Sequence, residues 1–326
     1  MINKLWKYKG IIFLPIFILF LSVSLSLAQE MDLSIGVAPT SKTLKLSQGE
    51  VYTDELVFWN LSPTADTYKV FVSGFEQVEN QPGTAIILTP EDDAKAPYSA
   101  SSWVTVEKDS LLLESNKNIK LSYTINVPQD ATNGEFNVEI FLISESAFNQ
   151  LGTAAFSSLA AGTPILIQIG DEFVENAELL SFVSDKKTYE KINVNLLTRI
   201  KNLGDTHITP TGEIVIENIF RQEVARIPFN KNSQSLLRDT SANYEDNWTQ
   251  SSYLSPNNAI ALGPLKAKLI VTYRSFQPGF AVLNAETTFW IIPWKIIIAI
   301  LAVTLLAIIV KTMKKKLAKK NNEIHH

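Results

Sequence analysis

Hydrophobic and polar residues alternate with a period of two over most of this chain. In one clear run, Leu121, Tyr123 and Ile125 are apolar, while Ser122 and Thr124 between them are polar. Because successive side chains of a β-strand point to opposite faces, this alternation predicts strands with one buried and one exposed face. The same pattern occurs in residues 68–73, 136–142, 192–201 and 265–274.

Turn-forming residues separate these runs into short strands. They occur at Gln48-Gly49, Ser62-Pro63, Gln81-Pro82-Gly83, Asn133-Gly134 and Pro278-Gly279. Short strands at this spacing, with no convincing amphipathic helix between them, predict immunoglobulin-like sandwiches. We therefore predict an all-β fold of two tandem immunoglobulin-like β-sandwiches, residues 29–172 and 173–288. The short acidic connection near residues 170–177 should restrict their relative motion.

The chain begins with a segment typical of a secretory signal peptide. Lys4, Lys7 and Lys9 precede an apolar run over residues 11–21, and Ser26-Leu27-Ala28 supplies the small residues of a cleavage site. We predict that residues 1–28 are a signal peptide. An uncleaved anchor is the alternative, which the proline and serines within and after the apolar run disfavour.

A second apolar segment lies near the C-terminus. Residues 289–310 are apolar with two exceptions, and a lysine-rich tail follows in residues 311–326. About 20 helical residues span the ~30 Å hydrocarbon layer, and a buried core helix this long and apolar is uncommon. Trp290 and Trp294 lie at one edge, where indole rings favour the interface. Since basic flanks stay in the cytoplasm, we predict a single-pass plasma-membrane protein whose ectodomain, between the two apolar segments, is extracellular.

The ectodomain is acidic and free of cysteine. The chain has a net charge of −4, but three basic residues lie in the first segment and seven in Lys295 and the tail, so the ectodomain carries about −13. Such a surface repels nucleic acid and other polyanions. The absence of cysteine excludes thiol nucleophiles, thiolate metal sites and disulfides, and it is typical of a bacterial surface domain with a sufficient core.

Residue types needed for catalysis are scarce. His207 is the one histidine of the ectodomain, and no Gly-x-Ser-x-Gly elbow, phosphate-binding glycine-rich loop or set of zinc ligands accompanies it. Acidic residues are adjacent at 91–93, 171–172 and 245–246, without calcium-loop spacing. We therefore predict no enzyme, no metal and no cofactor. A carboxylate-dependent glycan hydrolase remains an alternative, which needs two carboxylates across a cleft.

Residues 144–163 depart from the strand pattern. They are small and mildly apolar, and Phe148, Leu151, Phe156 and Leu159 are spaced along them. We predict these four residues as a partner-binding loop, because exposed apolar loops on a rigid sandwich often mark interaction sites. The alternative is that they cover one open end of the sandwich core.

Residues 230–257 also depart from the pattern. They are polar and contain Tyr244, Trp248 and Tyr253. These aromatic residues either stack on a sugar or a protein partner, or they pin the segment to its own sheet.

The layout resembles that of the WxL-interacting proteins of bacterial surfaces. The stretches that carry the resemblance are residues 35–39, 46–50, Trp59-Asn60, Val127-Pro128, residues 134–136, and residues 200–204 with Pro210 and Gly212. The resemblance implies a signal peptide, an immunoglobulin-like domain described as peptidoglycan-binding, a second sandwich described as host-binding, a C-terminal span and a basic tail. It assigns no individual binding residue in this chain.

These observations lead to one functional expectation. We expect a membrane-anchored surface protein that binds or scaffolds a cell-envelope component, either peptidoglycan or another surface protein, without enzymatic activity. An accessory or chaperone-like subunit of a pilus or secretion assembly is the first alternative, and the glycan hydrolase is the second.

Overall fold

The computed structural model describes residues 35–157, 159–273 and 281–324. The predicted signal peptide and the predicted turn at Pro278-Gly279 lie outside these residues.

The first part of the described chain forms two facing sheets, called the first sandwich below. Its strands are β1 (Ile35–Ala38), β2 (Lys42–Leu46), β3 (Val51–Asn60), β4 (Asp66–Ser73), β5 (Phe75–Gln77), β6 (Ala85–Ile87), β7 (Val104–Val106), β8 (Ser110–Leu113), β9 (Asn118–Asn126), β10 (Gly134–Ser144) and β11 (Ala161–Ile169). One sheet has the strand order β1-β3-β9-β7 and the other β2-β11-β10-β4-β8, while β5 and β6 form a separate hairpin.

The predicted alternation places one side of each long strand between the two sheets. Leu56, Phe58, Leu121, Val138 and Ile140 are fully buried there. Burying a large apolar side chain contributes roughly 1.5–3 kcal/mol, so this core stabilises the sandwich without disulfides.

The second part of the chain forms another pair of sheets, the second sandwich. Its strands are β12 (Ala177–Ser184), β13 (Thr188–Tyr189), β14 (Ile192–Asn202), β15 (Thr211–Asn218), β16 (Glu223–Phe229), β17 (Ser241–Gln250), β18 (Gly263–Tyr273) and β19 (Ala281–Ile291). The strand orders are β12-β14-β17 and β13-β19-β18-β15-β16. Val194, Leu196, Ile214, Ala267 and Phe289 are buried in a core separate from the first.

The polar segment of residues 230–257 contains the whole of β17. Tyr244 and Trp248 point from this strand into the second core, and Tyr253 packs against the same core. The second of the two interpretations therefore holds: the aromatic side chains pin the segment to its own sheet, because strand alternation directs them inward.

A long helix, Trp294–Ile324, follows β19 after only two residues. The span was predicted from residue 289, but Phe289 belongs to β19 and is buried in the second core. The end of the strand and the start of the helix are both apolar, so hydropathy alone does not show where one ends and the other begins. Within Trp294–Lys315 the most apolar 18-residue window has a mean hydropathy of 2.7 and is not buried, and among the described residues this is the one helix long and apolar enough to cross a membrane.

Residues 145–157 form a short helical arm. The helix Glu145–Leu151 and the 3-10 helix Gly152–Ser157 pack on the outer face of the sheet that contains β10. Phe141 and Ile143 are fully buried beneath this arm. The arm therefore covers an apolar patch on the outside of the first sandwich, apart from its main core.

Candidate functional site

The two sandwiches contact each other at one end of the outer face of β10. Phe136 and Val138 fill the first core. Since side chains alternate along a strand, Glu135, Asn137 and Glu139 point outward. The side-chain oxygen of Asn137 accepts a hydrogen bond from the N–H of Phe75 at 2.8 Å and so holds the start of β5 in place. Glu135 and Glu139 face the second sandwich and the space beside it.

Glu135 is the centre of this contact, called the seam below, and it is only 3% exposed. Its carboxylate accepts hydrogen bonds from the hydroxyl of Thr206, the backbone N–H of His207 and the amide of Gln168, each at 3.1 Å. Its Oε2 lies 2.6 Å from His207 Nδ1. The backbone N–H of Glu135 donates to the carbonyl of Asp205 at 2.8 Å. Groups from both sandwiches therefore satisfy a carboxylate that the contact removes from water.

Glu135 and His207 stabilise each other's charged form. Burial alone would raise the pKa of Glu135, but the hydrogen bond and charge of His207, with the other donors, bring it below its ordinary value. Burial would lower the pKa of His207, but the hydrogen bond and charge of Glu135 bring it above its ordinary value. The seam is thus held by an ion pair between the buried Glu135, whose carboxylate has its hydrogen bonds satisfied, and the partly buried His207.

Gly134 allows the second sandwich to approach this closely. Its φ is +125°, and a Cβ there would lie 2.6 Å from Arg238 Nη1 and 3.1 Å from the carbonyl oxygen of Asp205. Arg238 donates to the carbonyl of Glu135 at 3.1 Å and stacks 3.9 Å from the ring centre of Tyr98. Glycine is required here for both its conformation and its lack of a side chain.

The β5–β6 hairpin makes a second contact across the seam. Gln77 Oε1 accepts hydrogen bonds from the N–H of Leu237 at 3.0 Å and from the hydroxyl of Thr240 at 3.2 Å. The N–H of Gly83 donates to the carbonyl of Ser235 at 2.8 Å. Direct hydrogen bonds at two places thus join the sandwiches, and the restriction of their relative motion stays a prediction.

An open cleft of about 560 Å³ lies beside the seam. Thr43, Glu139 and Leu166 line it from the first sandwich, and residues 232–235 with His207 line it from the second. The lining mixes polar and apolar residues from strands and loops of both sandwiches. Such a surface suits an extended peptide segment better than a small apolar ligand, which prefers an enclosed apolar pocket.

The strand β2 adjoins this cleft and forms the edge of its sheet. Lys42–Leu46 pair with β11 on one side, and β2 is the last strand in the sheet order. The Lys42 ammonium is held by the carboxylate of Asp54 and the hydroxyl of Tyr52. An edge strand presents backbone N–H and C=O groups that another strand can pair with.

Glu139 is the one cleft carboxyl whose pKa departs far from the ordinary range. It lies between Ser73 and Pro164 on the neighbouring strands. Burial raises its pKa to about 7, with no charged group contributing. At neutral pH the carboxyl is therefore divided between a neutral form, which can donate a hydrogen bond, and a charged form, which only accepts.

The predicted partner-binding residues of the arm occupy different environments. Phe156 is 4% exposed, and its ring centroid lies 5.0 Å from that of Phe71. Phe148 is half-buried, with its ring 4.9 Å from Phe71. Leu159 is half-buried, whereas Leu151 is 46% exposed. The structure brings the two phenylalanines into one aromatic cluster, and the partner-binding role of all four residues stays a prediction.

Two of the three acidic clusters, residues 91–93 and 245–246, contain one aspartate that is held within the fold, whereas Asp171 and Glu172 are exposed. Asp93 accepts hydrogen bonds from the N–H of Gly74 and the hydroxyls of Ser99 and Ser101. Asp246 is buried, which raises its pKa to about 6. Within the described ranges, no group of three or more histidine or acidic side chains could hold a metal ion.

The pairing of Glu135 with His207 was missed by sequence reasoning. The one available signal was an acidic residue at an outward position directly after a glycine turn. Its partner is 72 residues away and belongs to the other sandwich. No local pattern links the two.

Comparisons with known proteins find fimbrial chaperones among solved structures. No protein-family model matches the chain, and no curated protein matches it. The class 5 fimbriae chaperone CfaA has a TM-score of 0.36 and 14% identity, covering 78% of this chain and 98% of that one. The CupB2 chaperone of Pseudomonas aeruginosa has a TM-score of 0.34 and 8% identity, with 77% and 98% covered. The E. coli chaperone DraB has a TM-score of 0.35 and 10% identity, with 77% and 96% covered. At these scores the likeness assigns no residue roles in this chain.

These comparisons correct the main functional expectation. The three solved structures named above are chaperones, whereas we expected a membrane-anchored scaffold that binds a cell-envelope component, either peptidoglycan or another surface protein. The expectation of a scaffold was wrong, and the chaperone-like alternative is the one that the comparisons favour. Peptidoglycan binding has no support among them. The resemblance to WxL-interacting proteins stays a prediction.

Proposed function

We propose that this chain is a chaperone-like accessory subunit of a surface-protein assembly and binds a segment of a client protein. The observation that supports this most directly is the cleft beside the seam. It combines the edge strand β2, the ionisable Glu139 and loops of the second sandwich. An extended client segment can pair its backbone with β2 while its side chains reach into the cleft.

A protein client fits the described surface better than a glycan. Three aromatic residues were candidates for stacking on sugars. Tyr244 and Trp248 face the second core, and Tyr253 packs against it. Glu139 can donate to or accept from a peptide group, depending on its protonation. A rigid seam keeps both walls of the cleft in place, which lowers the entropy cost of binding a flexible segment.

Both sandwiches are, in this proposal, immunoglobulin-like. In the first, the consecutive strands β1 and β2 belong to opposite sheets, which closes one side of the sandwich. In the second, the three-stranded and five-stranded sheets enclose a separate core. Two facing sheets with such crossovers, antiparallel except for the parallel pairs β2–β11 and β13–β19, support that architecture.

The chain is anchored, in this proposal, by the helix that starts at Trp294. The support is a mean hydropathy of 2.7 over the most apolar 18-residue window within Trp294–Lys315, with none of that window buried. The lysines at 311 and 314–316 form a basic flank on its far side. By the positive-inside rule this flank is cytoplasmic and the two sandwiches lie outside.

Site-specific cross-linking in the producing cells tests the proposal. A photo-reactive amino acid is placed at Thr43 or Leu166 in the cleft, with Lys120 on the exposed face of β9 as the control position. We expect one exported protein to cross-link at the cleft positions and not at Lys120. Its level at the cell surface should fall when the gene for this chain is deleted. Equal labelling at all three positions, or an unchanged surface level, would contradict the proposal.

A further inference from the structure

Apolar side chains are exposed at the end of the second sandwich from which the helix leaves. β19 reaches that end at Ile291, and the strand register places Gly263, Asn218 and Gln250 there as well. The β15–β16 turn, the β17–β18 connection and the start of the helix therefore share one end. We call this end the base, formed by residues 218–222, 251–263 and 290–294.

The β17–β18 connection presents two of these side chains from a fixed hairpin. Leu254 and Ile260 face each other across an antiparallel bridge and are 53% and 50% exposed. The N–H of Ser255 donates to the carbonyl of Ala259 at 2.9 Å, and the N–H of Ala261 donates to the carbonyl of Tyr253 at 2.8 Å. Because Ala259 and Ala261 are buried, the alternation holds Leu254 and Ile260 outward.

The β15–β16 turn presents two more. Ile219 and Phe220 are 63% and 72% exposed at its tip. The buried side chain of Asn218 shapes the turn, with Oδ1 accepting from the N–H groups of Phe220 and Gln222 at 3.0 and 3.1 Å. Its Nδ2 donates to the carbonyl of Ile260 at 3.2 Å. One asparagine thus shapes this turn and ties it to the neighbouring hairpin.

The charge of the base differs from that of the rest of the ectodomain. Residues 218–222 and 251–263 contain no acidic residue and one basic residue, Arg221. The ectodomain as a whole carries about −13. Lys191 lies next to this end and is exposed, and Lys295 pairs with Glu190 at 2.9 Å. A surface that is apolar and weakly basic fits the anionic headgroup layer of a membrane.

The distance from the base to the helix is short. Ile292 and Pro293 are the only residues between β19 and Trp294, and two extended residues reach at most about 7 Å. Trp290 and Trp294 are 47% and 50% exposed at this junction, and indole rings favour the membrane interface. If the helix spans, the base cannot lie far from the lipid surface.

We propose that the base is a lipid-contacting surface that lies in the interfacial layer of the membrane entered by the helix. Ile219, Phe220, Leu254 and Ile260 enter the boundary between headgroups and acyl chains, and Arg221 contacts lipid phosphates. This inference rests on the membrane anchorage under the proposed function. Its consequence is that the second sandwich stands on the bilayer with a fixed orientation, which sets the direction in which the cleft faces.

Depth measurements on the full chain in vesicles test the inference. The chain has no cysteine, so single cysteines can carry an environment-sensitive fluorophore at Ile219 or Ile260. Leu61, in the loop after β3, is the matched control, because it is 64% exposed against 63% for Ile219. Val303 in the helix reports insertion. The vesicles contain equal parts of phosphatidylcholine and phosphatidylglycerol, with nitroxide-labelled lipid as the quencher.

Membrane anchorage by the helix and lipid contact by the base predict quenching at different labelled positions. We expect lipid nitroxides near the headgroup to quench the labels at 219 and 260 on the order of twofold more than the label at 61. Mid-chain nitroxides should quench the label at 303 most. Quenching at 303 with none at 219 and 260 would overturn the lipid-contacting base and leave the anchorage intact. Loss of quenching at 303 would overturn the anchorage, and the labels at 219 and 260 would then show whether the base binds lipid by itself.

Discussion

Glu135 and Glu139 lie four residues apart on the same outer face of β10, and the pKa values of their carboxyl groups are shifted in opposite directions. At Glu135 the second sandwich supplies His207 and several hydrogen-bond donors, and the pKa lies below the ordinary value. At Glu139 the second sandwich stands back to form the cleft, and burial raises the pKa to about 7. The carboxylate of Glu135 joins the two sandwiches, while the carboxyl of Glu139 has no charged partner among the described residues and lines the open cleft.

A third region of the same face has no charge at all. Phe141 continues the outward series after Glu139 and is fully buried beneath the arm. The three outward positions thus serve a polar seam, an open cleft and an apolar patch. What each residue does is set by the element that covers it, because strand alternation fixes only that all three point outward. Five measurements sharpen this comparison, taken from the largest expected effect to the smallest.

The replacement Glu135→Ala should have the largest effect. It leaves the partly buried His207 and the donors around it without their carboxylate, and breaking a buried ion pair costs about 3–5 kcal/mol. We expect the free energy of unfolding to fall by that amount in urea denaturation. The variant Glu135→Gln keeps an acceptor and should lose less. A loss below about 1 kcal/mol for the alanine variant would show that the seam carboxylate is hydrated.

The pH dependence of the free energy of unfolding of the native chain tests the same pair, because the two pKa shifts fix the direction of each contribution. Because the folded pKa of His207 is raised, its contribution is complete below its unfolded pKa and is lost as pH rises through the folded value. Because the folded pKa of Glu135 is lowered, its contribution is complete above its unfolded pKa and is lost as pH falls through the folded value. Both contributions should disappear from the pH dependence of the free energy of unfolding of the Glu135→Ala variant, measured by urea denaturation at a series of pH values.

The replacement Phe156→Ala should have the next largest effect. It removes a buried ring from the cluster with Phe71 and Phe141, and such truncations cost about 3 kcal/mol or more. Leu151→Ala on the same arm is the control, with an expected change within about 0.5 kcal/mol because the side chain is 46% exposed. Equal effects of the two changes in thermal unfolding would mean that the arm does not pack as described.

The replacement Glu139→Gln should stabilise the chain, in contrast to changes at Glu135. The folded pKa of about 7 lies above the unfolded value. Ionisation of Glu139 therefore lowers the free energy of unfolding of the native chain as pH rises from about 4.5 to about 7. We expect a gain of about 1–3 kcal/mol at pH 8, after allowance for solvent screening, and no change near pH 4. A pH-independent difference in the denaturation midpoint would contradict a titrating Glu139.

The replacement Lys120→Ala should have the smallest effect. Lys120 Nζ lies 2.7 Å from Glu55 Oε2, as close as the Glu135 pair, but the two side chains are 66% and 46% exposed. Exposed ion pairs contribute about 0–1 kcal/mol, and salt screens them. We expect a change of that size in low salt and less in high salt. A loss comparable to that of Glu135→Ala would show that burial does not separate the two pairs.

The pattern of the sequence by itself determined the strands and the core. Period-two alternation identified residues such as Leu121 and Val138 as inward-facing, because alternation is a local property of an extended backbone. It also marked Phe136 and Tyr123 as core residues. The apolar C-terminal segment was found by length and hydropathy, although its first residues proved to belong to β19, since a buried strand and a membrane helix are equally apolar.

Only the tertiary structure decided the seam, the cleft and the base. Glu135 and His207 are 72 residues apart, and their contact depends on how one sandwich packs against the other. Ile219 and Ile260 become neighbours through the register of β15 and β18 and the hydrogen bond of Asn218. Periodicity states which way a side chain points along its own strand, whereas long-range packing decides what lies opposite it, and no local pattern carries that information.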